Sequence, residues 1–198
     1  MTLFPVILPV IEDISELPGR EKVGLLSRVS RDALRLSAER SGVIVGELHK
    51  DENDVPLPFG SHYWSVSHKP KYVAAVISND RIGIDIEEIK PRSQSLFDYV
   101  ASGEEWELSQ DKSWDTLFRY WTAKEAVLKA IGIGISGFKN CSIISVPDAN
   151  HIILDYQDRL FEAEQLRYQG HIVSVLKDSN QIEWIIQEDL PPSGEMYP

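Results

Sequence analysis

The sequence predicts an α+β fold, and three observations carry that expectation. Apolar residues recur at helical spacing over residues 20–41 and again over 114–131. Short apolar runs bounded by turn residues fill the chain from Phe138 onward, and no internal repeat interrupts this order. In the first helix Leu25, Leu26, Val29, Ala33, Leu34 and Leu36 supply the apolar positions and Gly42 the stop. The N-terminal segment before it, broken by Pro5 and Pro9, reads as a short first strand. Val43 to Leu48, Tyr63 to Ser67, Tyr72 to Ser78 and Ile82 to Glu87 read as further strands, with a proline-containing loop at 51–60. Residues 95–110 are expected to be helical. The runs at 141–146, 151–156, 160–167, 171–177 and 182–187 are expected to form an antiparallel sheet. The turn Ser78-Asn79-Asp80 is the candidate joint between an N-terminal half, 1–80, and a C-terminal half, 81–190. Residues 191–198 are a tail with little expected order.

With 198 residues, 42% of them hydrophobic, the chain can bury a sizeable core. It contains no apolar run of about 18 residues, which argues against a membrane span. The N-terminus has no basic stretch and no small-residue cleavage site, which argues against a signal peptide. A net charge of −11 argues against nucleic acid or an anionic membrane as the main partner. It leaves room for an anionic small molecule, because a metal ion or local basic cluster overrides the mean field. The single cysteine, Cys141, suits a reducing, cytoplasmic compartment and reads as a buried structural thiol in a strand.

The chemistry lies in three stretches. In Arg81-Ile82-Gly83-Ile84-Asp85-Ile86-Glu87, alternation along a strand puts Ile82, Ile84 and Ile86 on one face. Gly83, Asp85 and Glu87 fall on the other, with Gly83 leaving backbone room for a ligand. Two carboxylates side by side need either good solvation or a cation between them. In the helix over 114–131, at about 100° per residue, Trp114, Leu117, Phe118, Trp121 and Leu128 form one stripe, with Glu125 near its middle. A lone carboxylate on an apolar stripe needs a partner. That partner is either Lys129, one turn on, or an ion shared with Asp85 and Glu87. Three carboxylates with waters and phosphate oxygens suit Mg²⁺, and Lys124 and Lys129 could neutralise phosphate oxygens beside it. The third stretch, Trp64-Ser65-Val66-Ser67-His68-Lys69, ends a strand in a hydroxyl and an imidazole. These are either phosphate ligands or an ordinary strand end.

Taken in order, these stretches resemble the 4′-phosphopantetheinyl transferases, in particular the larger surfactin-type and enterobactin-type group. That family carries a Ser-His after a strand, then Gly, aliphatic, Asp, aliphatic, Glu, then a Trp-led helix motif ending in Lys-Glu and a further Lys. Trp121-Thr122-Ala123-Lys124-Glu125-Ala126-Val127-Leu128-Lys129 matches the last of these, and the resemblance covers about residues 27–131. The resemblance implies a pseudo-dimer of two similar α+β halves with coenzyme A between them. It implies transfer of the phosphopantetheine arm of coenzyme A to a serine of an apo acyl or peptidyl carrier protein, leaving adenosine 3′,5′-bisphosphate. By the same resemblance Asp85, Glu87 and Glu125 hold Mg²⁺, and Glu125 also takes the serine proton. Lys129 assists the diphosphate with Lys124 nearby, and His68, with Ser67, meets the 3′-phosphate. Ser27-Arg28-Val29-Ser30-Arg31-Asp32-Ala33-Leu34 resembles a family helix that would bring Arg28 and Arg31 to the nucleotide phosphate. Ser27 stands where the family has Gly. Asp51-Glu52-Asn53-Asp54 replaces a turn through which relatives meet coenzyme A. An internal pseudo-dimer implies a monomer.

Two other readings compete. Another Mg²⁺-dependent phosphotransferase would be expected to carry a phosphate-binding P-loop, and none is present. A non-catalytic module binding coenzyme A or a carrier would have no use for a base beside the metal. Leu96, Phe97, Tyr99 and Val100 are candidates either for a carrier-docking patch or for core.

Overall fold

The computed structural model describes residues 1–109 and 111–187, so the expected tail at 191–198 lies outside the described residues. The chain is α+β, with eleven short strands and four α-helices among the described residues. Strands β1 (Thr2–Leu3) and β2 (Val6–Pro9) are followed by helix α1 (Gly19–Arg40) and the hairpin β3 (Tyr63–His68) and β4 (Tyr72–Ser78). Then come β5 (Ile84–Glu88), α2 (Ser95–Val100), α3 (Gly103–Glu107) and α4 (Trp114–Ile131). A 3₁₀ segment, Gly134–Asn140, leads into β6 (Cys141–Ser145), β7 (His151–Tyr156), β8 (Arg159–Tyr168) and β9 (His171–Leu176). Two short strands, β10 (Gln181–Ile182) and β11 (Ile185–Ile186), end the described chain.

Alternation along β4 explains the layering. Val73, Ala75 and Ile77 face one side and pack with Val6 and Leu8 against Leu26, Val29, Ala33 and Leu34 of α1. Ala74 and Val76 face the other side and join Leu3 and Ile7 in the core that contains α4 and the second sheet. A strand buried on both faces carries a continuous apolar run rather than alternating polarity. The first sheet has the order β11-β2-β4-β3 and the second β5-β9-β8-β7-β6. The second sheet is antiparallel throughout, as expected from the sequence.

Four local expectations are corrected. Residues 43–48 form no strand; Val43 N–H closes the end of α1 on Ala38 O, and an isolated bridge pairs Lys50 with Pro56. The helix expected over 95–110 is broken between Val100 and Gly103, because Ser102 and Glu105 form a reciprocal capping box that starts a new helix. The strand expected over 82–87 begins at Ile84. The run expected at 182–187 does not extend the antiparallel sheet. It runs parallel to the N-terminus instead, Gln181 and Ile182 beside Thr2 and Leu3, and Ile185 and Ile186 beside Val6 and Ile7. Phe97 and Val100 are buried, with the Phe97 ring 4.8 Å from Trp114 and 5.4 Å from Trp106. Leu96 and Tyr99 pack half-buried against the same core, so this stretch is core rather than a free patch. Among the described residues no helix is long and apolar enough to cross a membrane.

Candidate active site

Helix α4 is started by Ser113, whose Oγ accepts the Thr116 N–H, and stopped by Gly132 in the left-handed region at φ 76°. It is enclosed on nearly every side. Leu117, Phe118 and Leu128 are fully buried, whereas Trp114, Trp121, Glu125 and Lys129 are only half-buried. The stripe expected to face the core is therefore split. Its Trp114–Trp121–Glu125–Lys129 side is where the helix opens toward solvent. The inner side is fixed by a buried polar network. Thr122 Oγ1 and Ser174 Oγ lie 2.7 Å apart, Gln165 Nε2 donates to Ser174 Oγ at 2.8 Å, and Arg119 Nε donates to Gln165 Oε1 at 2.8 Å. Ser174 stands opposite Asp85 in the β5–β9 register, so α4 lies on the face of β5 that carries Gly83, Asp85 and Glu87.

Gly83 decides how closely it lies. A Cβ there would fall 1.8 Å from Ala126 O and 3.1 Å from Ala130 N. The room that Gly83 leaves is taken by the α4 main chain, not by a ligand as expected. The close approach brings Lys129 onto β5, where its Nζ donates to Ile84 O at 3.0 Å and to Asp85 Oδ1 at 2.7 Å. The edge of β3 meets the same strand through two serines on one face. Ser65 Oγ accepts the Ile84 N–H at 3.1 Å, and Ser67 Oγ donates to Asp85 Oδ1 at 2.7 Å. Sequence reasoning missed Ser65, although two buried serines alternating with Trp64 and Val66 were the available signal.

Asp85 is 5% exposed and Glu87 7%, and each is held by cations from its surroundings. Glu87 pairs with Lys69 Nζ at 2.7 Å and with Arg92 Nη2 at 3.5 Å. Two oxygens are buried without any partner: Asp85 Oδ2 and Glu125 Oε1. Burial, and then the neighbouring Asp85 charge, push the Glu125 carboxyl up to about 7, with Lys129 opposing and Glu87 adding to the rise. Burial also raises Glu87, against the pull of Lys69. His68 ends β3 with its residue surface exposed. Local desolvation of its ring, then the Lys129 and Lys69 charges, hold its pKa below the usual histidine value. The three carboxylates thus share one electrostatic neighbourhood with the ammonium groups of Lys69 and Lys129, beside the His68 imidazole. Among the described residues no three acidic, His or Cys side chains converge as a ready metal cluster. Glu87 is turned to Lys69 and Arg92, and one buried oxygen each of Asp85 and Glu125 is left without a partner.

The other expected site residues lie elsewhere. Lys124 sits about 100° around the helix from Glu125, only 2% exposed, with its Nζ 2.7 Å from Glu105 Oε1 and 2.8 Å from Val100 O. It is an internal tie rather than a phosphate contact. Burial works to raise Glu105, but Lys124 and the Ile143 and Ser102 N–H groups outweigh it and hold the carboxyl below its usual range. Lys124→Met would leave that carboxylate buried without its cation. The expected cost is about 1.5–3 kcal/mol, read as a lowered urea midpoint with an unchanged slope. Arg28 pairs across the surface with Glu12 at 3.3 Å, and Arg31 lines a cleft of about 370 Å³ with Arg35 and residues 45–49. Among the described residues neither arginine pairs with Asp85, Glu87 or Glu125. Cys141 is buried, and burial pushes its thiol up to about 12, so it is not a thiolate at neutral pH.

The model of the 4′-phosphopantetheinyl transferase superfamily matches residues 81–189, the half that carries Asp85, Glu87, Glu125 and Lys129. The chain belongs to that superfamily. Its members are transferase enzymes, and three relatives place the chain among them. A Haemophilus influenzae protein named as a 4′-phosphopantetheinyl transferase is 29% identical over 165 residues, 78% of this chain and 69% of the relative. A 4′-phosphopantetheinyl transferase of Bacillus pumilus is 32% identical over 97 residues, 47% of this chain and 42% of the relative. The L-aminoadipate-semialdehyde dehydrogenase-phosphopantetheinyl transferase of Schizosaccharomyces pombe is 35% identical over 97 residues, 46% of this chain and 38% of the relative. The last two matches span less than half the length of those relatives. For a 4′-phosphopantetheinyl transferase-family chain, the notable features are the Lys69–Glu87 and Lys129–Asp85 pairs, which fill part of the acidic site with the protein's own ammonium groups.

Proposed function

We propose that this chain transfers the 4′-phosphopantetheine arm of coenzyme A to a serine of an apo acyl or peptidyl carrier protein, with Mg²⁺ as cofactor and adenosine 3′,5′-bisphosphate as the other product. One observation carries the proposal beyond family membership. Two carboxylate oxygens, Asp85 Oδ2 and Glu125 Oε1, are buried with no partner beside Lys129. Orphaned anionic oxygens are costly in a protein interior. Oxygen donors of this kind fit a hard divalent cation, so the residues present fit Mg²⁺. Asp85 and Glu125 would hold it, with Glu87 joining them. Mg²⁺ would supply charge neutralisation on the diphosphate.

The remaining chemistry belongs to the side chains. The carrier serine Oγ forms a new bond to the phosphorus attached to the pantetheine arm. The bond to the bridging oxygen breaks, and adenosine 3′,5′-bisphosphate leaves with the electron pair. The serine proton goes to Glu125. The rise to about 7 belongs to the metal-free site; a bound cation would draw the carboxyl back down, so Glu125 acts as a modest base held in place beside the serine. Lys129, free to exchange Asp85 for a phosphate oxygen, neutralises the leaving group. His68 and Ser67 take the 3′-phosphate side, and an anion there would favour the protonated imidazole. Arg28 and Arg31, both exposed on α1, are assigned to the nucleotide phosphate.

The same reading treats the halves 1–80 and 81–190 as a pseudo-dimer. In support, each has a lead strand, a long helix and a hairpin whose second strand returns antiparallel to the lead strand: β2-β4-β3 and β5-β9-β8. A monomer working in the cytoplasm, with no nucleic acid or membrane partner, completes the proposal. The test is incubation with coenzyme A, Mg²⁺ and a panel of apo carriers. The expected result is a carrier heavier by one phosphopantetheine, with the gain abolished by excess EDTA. No gain on any carrier that an established transferase modifies would overturn the reading, and a gain undiminished by EDTA would overturn the metal.

A further inference from the structure

We infer that Lys69 is an exchangeable counter-ion that couples the filling of the acidic site to the binding of the anionic substrate. Its ammonium neutralises Glu87. When a divalent cation draws Glu87 away, the same ammonium is released to a phosphate of coenzyme A. The inference rests on the reading above and deepens it.

Lys69 follows His68 at the end of β3, and its main chain is pinned across the hairpin by the bond from its N–H to Tyr72 O at 2.8 Å. Only its side chain can move, and a lysine stem allows a swing of several ångströms. That side chain crosses from the N-terminal to the C-terminal half to meet Glu87 at 2.7 Å, and remains 28% exposed. Glu87 shares a strand face with Asp85, two residues away, so both can turn toward one ion. Asp85 is 95% buried, with Oδ2 lacking a partner, which marks where added positive charge is wanted. A single ammonium satisfies Glu87 alone, whereas a divalent ion at the unpartnered oxygens would attract all three carboxylates. Glu87 keeps a second cation, Arg92, which is stacked 5.6 Å from the Phe118 ring and is less free to leave. Once released, Lys69 stands with Lys129 beside His68, where the fields of the two ammonium groups already meet. This makes a cationic corner beside the acidic one, suited to a phosphate.

The exchange predicts a pattern that a simple charge effect does not. Removing any nearby positive charge weakens an anion's binding equally with and without metal. Removing an exchangeable counter-ion weakens it only when the metal has set the counter-ion free. In calorimetric titrations, Lys69→Gln should bind Mg²⁺ alone about tenfold more tightly than the wild type. Its affinity for coenzyme A should be nearly unchanged in EDTA and about tenfold weaker in saturating Mg²⁺. Lys69→Arg, which keeps the charge, should restore most of the difference. An equal loss of coenzyme A affinity in EDTA and in Mg²⁺, no loss in either, or unaltered Mg²⁺ affinity would each overturn the exchange. If wild-type protein binds no coenzyme A under either condition, the functional reading fails together with it. If the wild type modifies a carrier but Lys69→Gln shows no metal-dependent difference, only the exchange fails.

Discussion

Glu125→Gln is expected to lower the transfer rate at least about 10²-fold, the usual scale for losing a general base, while making the metal-free protein more stable above neutral pH. The two effects have one origin. Glu125 is pressed into a site where burial and the Asp85 charge favour its neutral form, and its carboxyl is raised from 4.5 to about 7. Between those values the folded state holds a proton that the unfolded chain has released. Stability therefore falls as pH rises through that window and does not recover above it. Gln keeps the shape and cannot ionise. The stability of the variant should pull ahead of wild type from about pH 4.5 and hold a constant lead above about pH 7. If Glu125 did no more than pair with Lys129 along the helix, the change would be worth at most about 0.5 kcal/mol and would destabilise. The measurements are metal-free thermal midpoints across pH and transfer rates across a Mg²⁺ titration. Near-normal rates at saturating Mg²⁺ would remove Glu125 from catalysis.

What the sequence made legible was local and periodic. The parity of Gly83, Asp85 and Glu87 on one strand face follows from alternation alone, and the structure puts α4 against that face. The bounds of α4 agree with the sequence reading, because Ser113 and Gly132 are a strong start and stop. The Ser102–Glu105 capping box was legible too and went unread, so one helix was expected where two lie. What was not legible depended on distant partners. No pattern in Gln181–Ile186 says that it will run parallel to Thr2–Ile7. Nothing in the Lys-Glu pair at 124 and 125 says that the lysine belongs to Glu105 and only the carboxylate to the site. The stripe through Trp114, Trp121 and Glu125 looked like a core face because it is aromatic. In the fold those aromatics line the boundary between core and solvent, where large rings with polar edges often lie.

Among the described glycines, Gly83→Ala is expected to be the most damaging change to alanine. Its Cβ would sit 1.8 Å from Ala126 O and 2.7 Å from the carbonyl carbon of that residue. Those atoms belong to the main chain of a buried helix and cannot move aside as a side-chain tip could. Overpacking a core typically costs about 1–3 kcal/mol, and this clash belongs at or beyond the upper end of that range. The relief available is to push α4 outward from β5. That would stretch the bonds from Lys129 to Ile84 O and Asp85 and carry Glu125 away from Asp85. A displacement of about 1 Å in such a constellation is enough for a rate loss near 10²-fold. The variant should therefore show a lower urea midpoint and, well below its melting temperature, a transfer rate reduced about as much as in Glu125→Gln. The two variants differ in the sign of their stability change. Loss of rate with gained stability marks a group that serves chemistry against the fold, and loss of both marks the joint that brings the group into place. Should Gly83→Ala fold with wild-type stability and rate, the close approach of α4 to β5 is not what sets the position of Glu125 and Lys129.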